Sequence, residues 1–186
     1  MIEIFRISDV SDAIEREDII LQVRFIFYTS SSLKEFSSPV RKAAFFKRWC
    51  GDYLTSFPEY FFIMREDKKV LGYLTGCLDS ITALSLLEIP GYSHYSDLFQ
   101  TYPAHFHINF HPDCRGRGLG SQLVETFCDE LIDLNIKGVH LVTSRGAKNI
   151  IFYRRLGFTN EFPRDFNEMT LLFMGRILEV DTPLSI

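Results

Sequence analysis

The spacing of apolar and polar residues predicts alternating strands and helices in the first part of the chain. Residues 2–7 alternate apolar and polar side chains, which is typical of a strand with one buried face. A capped apolar run predicts a helix over roughly 11–28, and a second helix follows Pro39 after a polar break. A hairpin is predicted next, because the apolar run 60–64 meets a charged turn and then the run 70–78.

The pattern continues after one irregular segment. Residues 79–103 are rich in tyrosine and contain two prolines, so we expect an ordered insertion. Strands are predicted at 104–110 and 137–144, on either side of a helix that follows Gly118. A short helix that ends at Gly157, two closing strands and a tail of eight residues complete the chain.

The helix after Gly118 has the clearest amphipathic pattern. Its expected buried stripe is Leu119, Leu123, Phe127, Leu131 and Leu134, with acidic residues on the opposite face. The order of elements predicts one α/β domain over 1–186 with a mixed sheet flanked by helices. The strand–helix–strand unit around 104–144 should be parallel and right-handed.

Composition narrows the class of protein. The net charge of −4 argues against a broad nucleic-acid surface. The four cysteines show no C-x-x-C spacing, so we expect free thiols in a reducing compartment and no metal site. The N-terminus lacks the pattern of a signal peptide, and no stretch is long and apolar enough to span a bilayer. We therefore expect a cytoplasmic protein that binds neither nucleic acid nor membrane.

The stretch "RGRGLGSQ", residues 115–122, combines arginines and glycines at a predicted helix start. It lacks the third glycine of a dinucleotide-binding fingerprint and the lysine of a P-loop. It occurs once, unlike the repeats of a disordered RNA-binding tract, and it has more glycine and arginine than a simple turn needs. Glycine leaves backbone N–H groups accessible, the helix start is positive, and arginine binds phosphate with a forked geometry. The stretch therefore predicts an anion site, with a diphosphate as a good fit.

Two motifs in this order resemble those of the GCN5-related N-acetyltransferases, the GNAT family. The turn matches the R/Q-x-x-G-x-G/A signature of that family, and "INFHP" before it resembles the preceding strand end. "NIIFYRRLGF", residues 149–158, resembles the second family signature. The resemblance covers about 104–160. More narrowly, "YPAHFHINFHPDCRGRGLG" resembles bacterial members related to the acetyltransferase-like domain of O-GlcNAc hydrolases.

The resemblance implies an acetyl-CoA site between two central parallel strands, 104–111 and 138–144, that splay apart. In a mostly antiparallel sheet of this kind, backbone N–H groups near Ile108 and Phe110 would face the thioester and the pantetheine arm. The diphosphate would lie in the turn formed by Arg115, Gly116, Arg117, Gly118, Leu119, Gly120 and Ser121.

The resemblance also implies catalytic roles. Tyr153 matches the general acid that protonates the CoA sulfur, and Asn149 matches a position that contacts the CoA arm. The position of a glutamate base in some members is Ala104 here, and a methyl group cannot accept a proton. His107, with His105 on the same strand face, is our candidate base, since histidine titrates near neutral pH. Deprotonation through water and an acceptor that arrives neutral remain alternatives.

The expected function is acetyl transfer from acetyl-CoA to an amine by direct attack in a ternary complex. The alternative is a non-catalytic acyl-CoA-binding module for sensing or interaction, which the alanine at 104 keeps open. We expect the acceptor to be a small molecule or a peptide amine. Its site should be formed by the first two helices and the 79–103 insertion. The aromatic residues of the insertion would either close over the acceptor or only cover the sheet. The family resemblance also makes a homodimer plausible.

Overall fold

The computed structural model describes residues 1–31 and 33–179. Its strands are β1 (Ile2–Arg6), β2 (Phe61–Glu66), β3 (Lys69–Cys77), β4 (Ala104–Phe110), β5 (Gly138–Ser144), β6 (Asn160–Phe166) and β7 (Met169–Ile177). Its α-helices are α1 (Ala13–Ser30), α2 (Pro39–Phe46), α3 (Asp52–Ser56), α4 (Ser80–Leu86), α5 (Leu119–Asp133) and α6 (Ile150–Arg155).

The strands form one seven-stranded mixed sheet in the order β1-β2-β3-β4-β5-β7-β6. β4 and β5 run parallel, with Ala104 opposite Val139 and His105 opposite His140. The pairs β1–β2, β2–β3, β5–β7 and β6–β7 are antiparallel. The predicted α/β class, with a mostly antiparallel sheet and a central parallel pair, is confirmed.

The chain divides into two compact units, each described separately below. The first contains residues 1–76 and 107–125. In this unit, α1 buries Ile19, Val23 and Ile26 on one face. Asp12 caps α1, because its side chain accepts a hydrogen bond from the Glu15 backbone N–H.

A β-bulge in β3 shapes the first unit. Met64 lies opposite Gly72 whereas Arg65 lies opposite Val70, so Leu71 is an extra residue in β3. A Cβ atom at Gly72 would come within 2.4 Å of the Phe110 ring, which therefore requires a glycine beneath it. The sequence places both strands correctly, and Gly72 within the second run indicates a bulge or a close backbone approach, as the structure shows.

The helical region after Pro39 is interrupted. The sequence predicts one helix, but a π-helical turn over Lys47–Gly51 separates α2 from α3. A π-helical turn has one residue more than an α-helical turn, and such turns occur often at functional sites. It carries Trp49, whose ring packs edge-on against His107 with centroids 5.8 Å apart.

The second unit contains Cys77–Phe106 and the described residues from Thr126 onward. Aromatic residues of the 79–103 insertion are buried within it, in a cluster of Tyr92, Tyr95, Phe99, Tyr102 and Phe173. The insertion covers the strands β5 and β7, since Tyr92 stacks on His140 of β5 and Tyr95 packs on Phe173 of β7, with ring centroids 5.5 and 5.3 Å apart. The sequence leaves two roles open for the aromatic residues of the insertion, closing over an acceptor or covering the sheet. The buried ones form part of a hydrophobic core.

One residue of the predicted stripe on α5 differs from the expectation. Leu119, Leu123, Phe127 and Leu131 are buried, but Leu134 is 46% exposed. The reason is that α5 ends at Asp133 and Asn135 adopts a left-handed conformation, which turns the chain away. The tail predicted after Leu178 lies outside the described residues from 180 onward.

Candidate active site

His111 fixes the start of the arginine–glycine turn. Its backbone N–H donates to the carbonyl of Leu71, the extra residue of the bulge, at 2.8 Å. Its ring stacks on Phe25 of α1, and Nδ1 accepts a hydrogen bond from the Asp113 backbone N–H. His111 thereby caps the short 3₁₀ turn Pro112–Cys114 that leads into the glycines.

Arg115 stabilises the turn through hydrogen bonds to α1 and to the end of β4. Its Nη2 donates to Ser30 Oγ at 2.9 Å, at the end of α1, and its Nε donates to the Phe110 carbonyl at 3.3 Å. Two of its donors are thus used within the protein. The sequence assigns Arg115 only to the anion, and the structure adds this bracing role.

The two glycines of the turn have left-handed backbones. Gly116 has φ of +75° and Gly118 has φ of +77°, and a Cβ atom at either position would find no atom within 4 Å among the described residues. Glycine is therefore required by the backbone conformation and not by crowding. Gly118 accepts hydrogen bonds from the backbone N–H groups of Ser121 and Gln122, which starts α5 directly after the turn. The result is an exposed turn, with Arg117 on its surface, that opens into the positive end of a long helix.

His107 lies in an aromatic setting of the first unit. Its ring packs edge-on against Trp49 and against Tyr53, whose centroid is 5.5 Å away. Its Nε2 atom is buried. Burial lowers the pKa of His107 to about 4, because the charged form loses its hydration. The imidazole is therefore neutral at pH 7 and can accept a proton, but it is a weak base.

His105 belongs to a buried hydrogen-bonded chain of the second unit. Ser80 Oγ lies 2.6 Å from the Pro103 carbonyl and 2.8 Å from His105 Nδ1. A carbonyl only accepts, so the hydroxyl proton goes to Pro103 and His105 donates through Nδ1. In that tautomer Nε2 is the proton-accepting nitrogen. Ala104, at the position where the family resemblance leads us to look for a base, is fully buried.

Asn149 and Tyr153 are brought together at the start of α6. Asn149 precedes the helix, but its side chain makes no capping hydrogen bond. Instead it accepts from Thr143 Oγ1 at the end of β5 and is hydrogen-bonded to the Tyr153 hydroxyl. Burial raises the pKa of Tyr153, and the hydrogen bond from Asn149 opposes the shift. The hydroxyl therefore keeps its proton at neutral pH, as a general acid must.

The first unit holds a second polar cluster, which the sequence does not predict. Asn109 Nδ2 donates to the Tyr73 hydroxyl at 2.9 Å, and Tyr73 is also hydrogen-bonded to Cys50. Burial raises the pKa of the Cys50 thiol to about 12, so the thiol is un-ionised. The available signal is weak: Asn109 follows His107 by two residues on β4, so the two share a strand face.

The predicted residues are thus distributed over both units. The first holds Ile108, Phe110 and the whole turn, and the second holds His105, Asn149 and Tyr153. Within the described residues no group of three histidine, cysteine or acidic side chains is arranged to hold a metal ion. In the same part of the chain, none of the helices has the length and apolarity needed to cross a bilayer.

Solved structures share this fold. SsHAT is 21% identical, with a TM-score of 0.70 over 95% of this chain and 98% of that chain. The ribosomal-protein-S18-alanine N-acetyltransferase from Escherichia coli is 14% identical, with a TM-score of 0.59 over 100% and 99% of the two chains. The acetyltransferase yncA from Salmonella typhimurium, solved with its cofactor acetyl-CoA, is 16% identical, with a TM-score of 0.55 over 96% and 94%.

The family model described as the acetyltransferase (GNAT) domain matches residues 58–160, which is more than half of the chain. The match includes the arginine–glycine turn and the whole of the second signature. The chain therefore belongs to the GNAT acetyltransferases, and it is an acetyltransferase enzyme. The narrower resemblance to the branch related to O-GlcNAc hydrolases stays a prediction.

Proposed function

We propose that this enzyme transfers the acetyl group of acetyl-CoA to an amine by direct attack in a ternary complex. The observation that carries the proposal is the turn Arg115–Gly118, whose left-handed glycines and open surroundings leave room for an anionic group beside the start of α5. In this proposal the full chain acts as a single acetyltransferase domain, with the cosubstrate held by residues of 104–160.

The turn binds the diphosphate of CoA. Backbone N–H groups of residues 116–120 and the guanidinium of Arg117 neutralise its charge. Arg115 supports the turn through Ser30 and contributes its remaining donors. Backbone groups near Ile108 and Phe110 pair with the pantetheine arm, and the side chain of Asn149 contacts the same arm.

The chemistry needs a neutral amine and a protonated leaving group. The amine nitrogen attacks the thioester carbonyl, the C–N bond forms and the C–S bond breaks. Tyr153 gives its proton to the leaving CoA sulfur, because its raised pKa keeps the hydroxyl protonated until negative charge develops there. The proton of the amine passes to His107, to His105 or to water.

One observation favours the alternative of a non-catalytic acyl-CoA-binding module. The candidate base His107 has a lowered pKa of about 4, and Ala104 offers no base at all. A site without a strong base depends on acceptors that arrive neutral. The hydrogen bond between Asn149 and the Tyr153 hydroxyl, which orients a protonated phenol, supports catalysis instead.

A screen of amine classes separates the two functions. Aminosugars, polyamines, amino acids, peptide N-termini and lysine peptides are incubated with acetyl-CoA, and free CoA release is measured. Release that depends on the amine supports acetyl transfer. Tight CoA binding by calorimetry without release for any amine favours the binding module.

A further inference from the structure

A groove of about 490 Å³ opens on the first unit between residues 33–37 and α2. Its apolar wall is formed by Leu33, Phe36 and Phe45, and its polar rim carries Glu35, Arg41 and Arg48. The rim thus carries two guanidinium groups and one carboxylate, and it has an excess of positive charge.

The sequence around the groove is strongly cationic. Residues 24–51 contain six lysine or arginine residues and one acidic residue, although the whole chain has a net charge of −4. The positive charge is thus concentrated in this part of the chain. A concentration of one sign raises the local concentration of ligands of the opposite sign.

The walls of the groove are held in place by aromatic packing. The ring of Phe45 packs against Phe36 and Phe27, with centroids 5.4 and 5.3 Å away. Ser38 caps α2, because its side chain accepts a hydrogen bond from the Arg41 backbone N–H at 3.2 Å. The helix α2, which carries Arg41, is therefore capped at its start and packed against neighbouring aromatic rings.

The groove lies close in the chain to two parts of the proposed site. Ser30, which binds Arg115 below the diphosphate turn, is three residues from Leu33. Arg48 is followed by Trp49, whose ring packs on His107, the candidate base. The groove is thus adjacent in sequence to both parts of the proposed site.

We infer that this groove selects acceptors that carry an anionic group, a carboxylate or a phosphate, beside the amine. The guanidinium groups of Arg41 and Arg48 match such oxygens with forked hydrogen bonds, and the apolar wall packs on the carbon skeleton. This inference rests on the proposed acetyl transfer, since it names the class of acceptor.

The test is a titration of matched amines onto the full chain saturated with CoA. Trp49 is the only tryptophan, so its fluorescence reports binding beside Arg48. The pairs are glutamate with glutamine, glucosamine 6-phosphate with glucosamine, and an acidic tetrapeptide with its amidated form. We expect the anionic member of at least one pair to bind about tenfold more tightly. The preference should disappear in Arg41→Glu and in Arg48→Gln, and it should persist in Lys68→Glu, an exposed change on the hairpin turn.

The outcomes separate this inference from the proposed function. Equal affinities within every pair, or a preference that survives in both arginine variants, would overturn the inference. Anion-dependent binding without CoA release from acetyl-CoA would retain the groove and reject acetyl transfer. CoA itself carries a 3′-phosphate, so CoA and dephospho-CoA are compared in parallel. If the arginine variants weaken CoA but leave dephospho-CoA unchanged, the arginines bind the cosubstrate and the inference fails.

Discussion

The side chain of Asn149 is hydrogen-bonded to the hydroxyl of Tyr153, one helical turn further along α6. This pairing connects the end of β5, through Thr143, to the group that we propose as the general acid. It also explains why Asn149 does not cap α6, since its side chain is used elsewhere.

Tyr153→Phe should lower kcat by about 10²- to 10⁴-fold and leave the Kd for CoA nearly unchanged, because only the proton donor is lost. Steady-state kinetics and calorimetry measure the two effects. The matched control is Tyr95→Phe in the same unit, which removes a buried hydroxyl from the aromatic cluster of the insertion. Full activity of Tyr153→Phe would show that another group protonates the sulfur.

Arg117→Glu should weaken CoA binding about tenfold or more without loss of stability, since this exposed arginine faces the proposed diphosphate. Arg115→Gln should weaken binding and also lower Tm, because it breaks the contacts to Ser30 and Phe110. Calorimetry and thermal unfolding measure the pair side by side. Unchanged CoA affinity in Arg117→Glu would remove the diphosphate from this turn.

Gly116→Ala and Gly118→Ala should each destabilise the protein by about 1–2 kcal/mol, because alanine disfavours the left-handed backbone. Both should also raise the Kd for CoA by misdirecting the backbone N–H groups. Gly146→Ala is the matched control, since that glycine also has open surroundings but no left-handed φ. Urea unfolding and calorimetry test the three variants. An effect in Gly146→Ala as large as in the others would contradict the backbone explanation.

His107 should make the protein less stable in acid. The unfolded chain takes up a proton at His107 below about pH 6.5, whereas the folded chain does so only near pH 4. Stability is therefore lost as pH falls from about 6.5 to about 4, by about 3 kcal/mol from this group. Above pH 6.5 the group contributes no pH dependence.

The measurement is urea unfolding at several pH values for the wild type and for His107→Gln. The difference between the two should shrink steadily toward pH 4, because the variant has no group to protonate. Parallel curves would show that the pKa is not lowered. If His107 is also the base, the acid limb of the wild-type pH–rate profile should lie near pH 4, and His107→Ala should abolish it.

The buried histidine His140 should hold the 79–103 insertion in place. Its Nδ1 lies 2.8 Å from the Tyr102 carbonyl and donates to it, so Nε2 accepts from the Tyr92 hydroxyl. Tyr92→Phe and His140→Gln should each cost about 1–3 kcal/mol. Hydrogen exchange should rise across 79–103 in both variants, and unchanged exchange there would argue against this role.

The sequence predicts the regular parts of this molecule well. β4 has the bounds expected from the alternation at 104–110, and α6 ends before Gly157, which has φ of +82°. Periodic burial and glycine at a helix end are local signals, so they can be read without the fold. The family resemblance then supplies the candidate roles of the turn and of Tyr153.

The remaining features depend on contacts that are distant in sequence. Ser30 is 85 residues from Arg115, and Tyr92 is 48 residues from His140, so no local pattern indicates either pair. No local sequence pattern distinguishes the π-helical turn from the α-helices on either side of it. The lowered pKa of His107 follows from burial by residues such as Tyr53, which a strand pattern does not specify.

The π-helical turn at Lys47–Gly51 makes the chain length in this region critical. Deleting a single residue there would allow one continuous α-helix, in which every later position is rotated by about 100°. Tyr53 would then leave the ring of His107, although no residue in contact with the histidine had been replaced. In natural or engineered chains that are one residue shorter here, the environment of that histidine should therefore change more than it would after a single substitution.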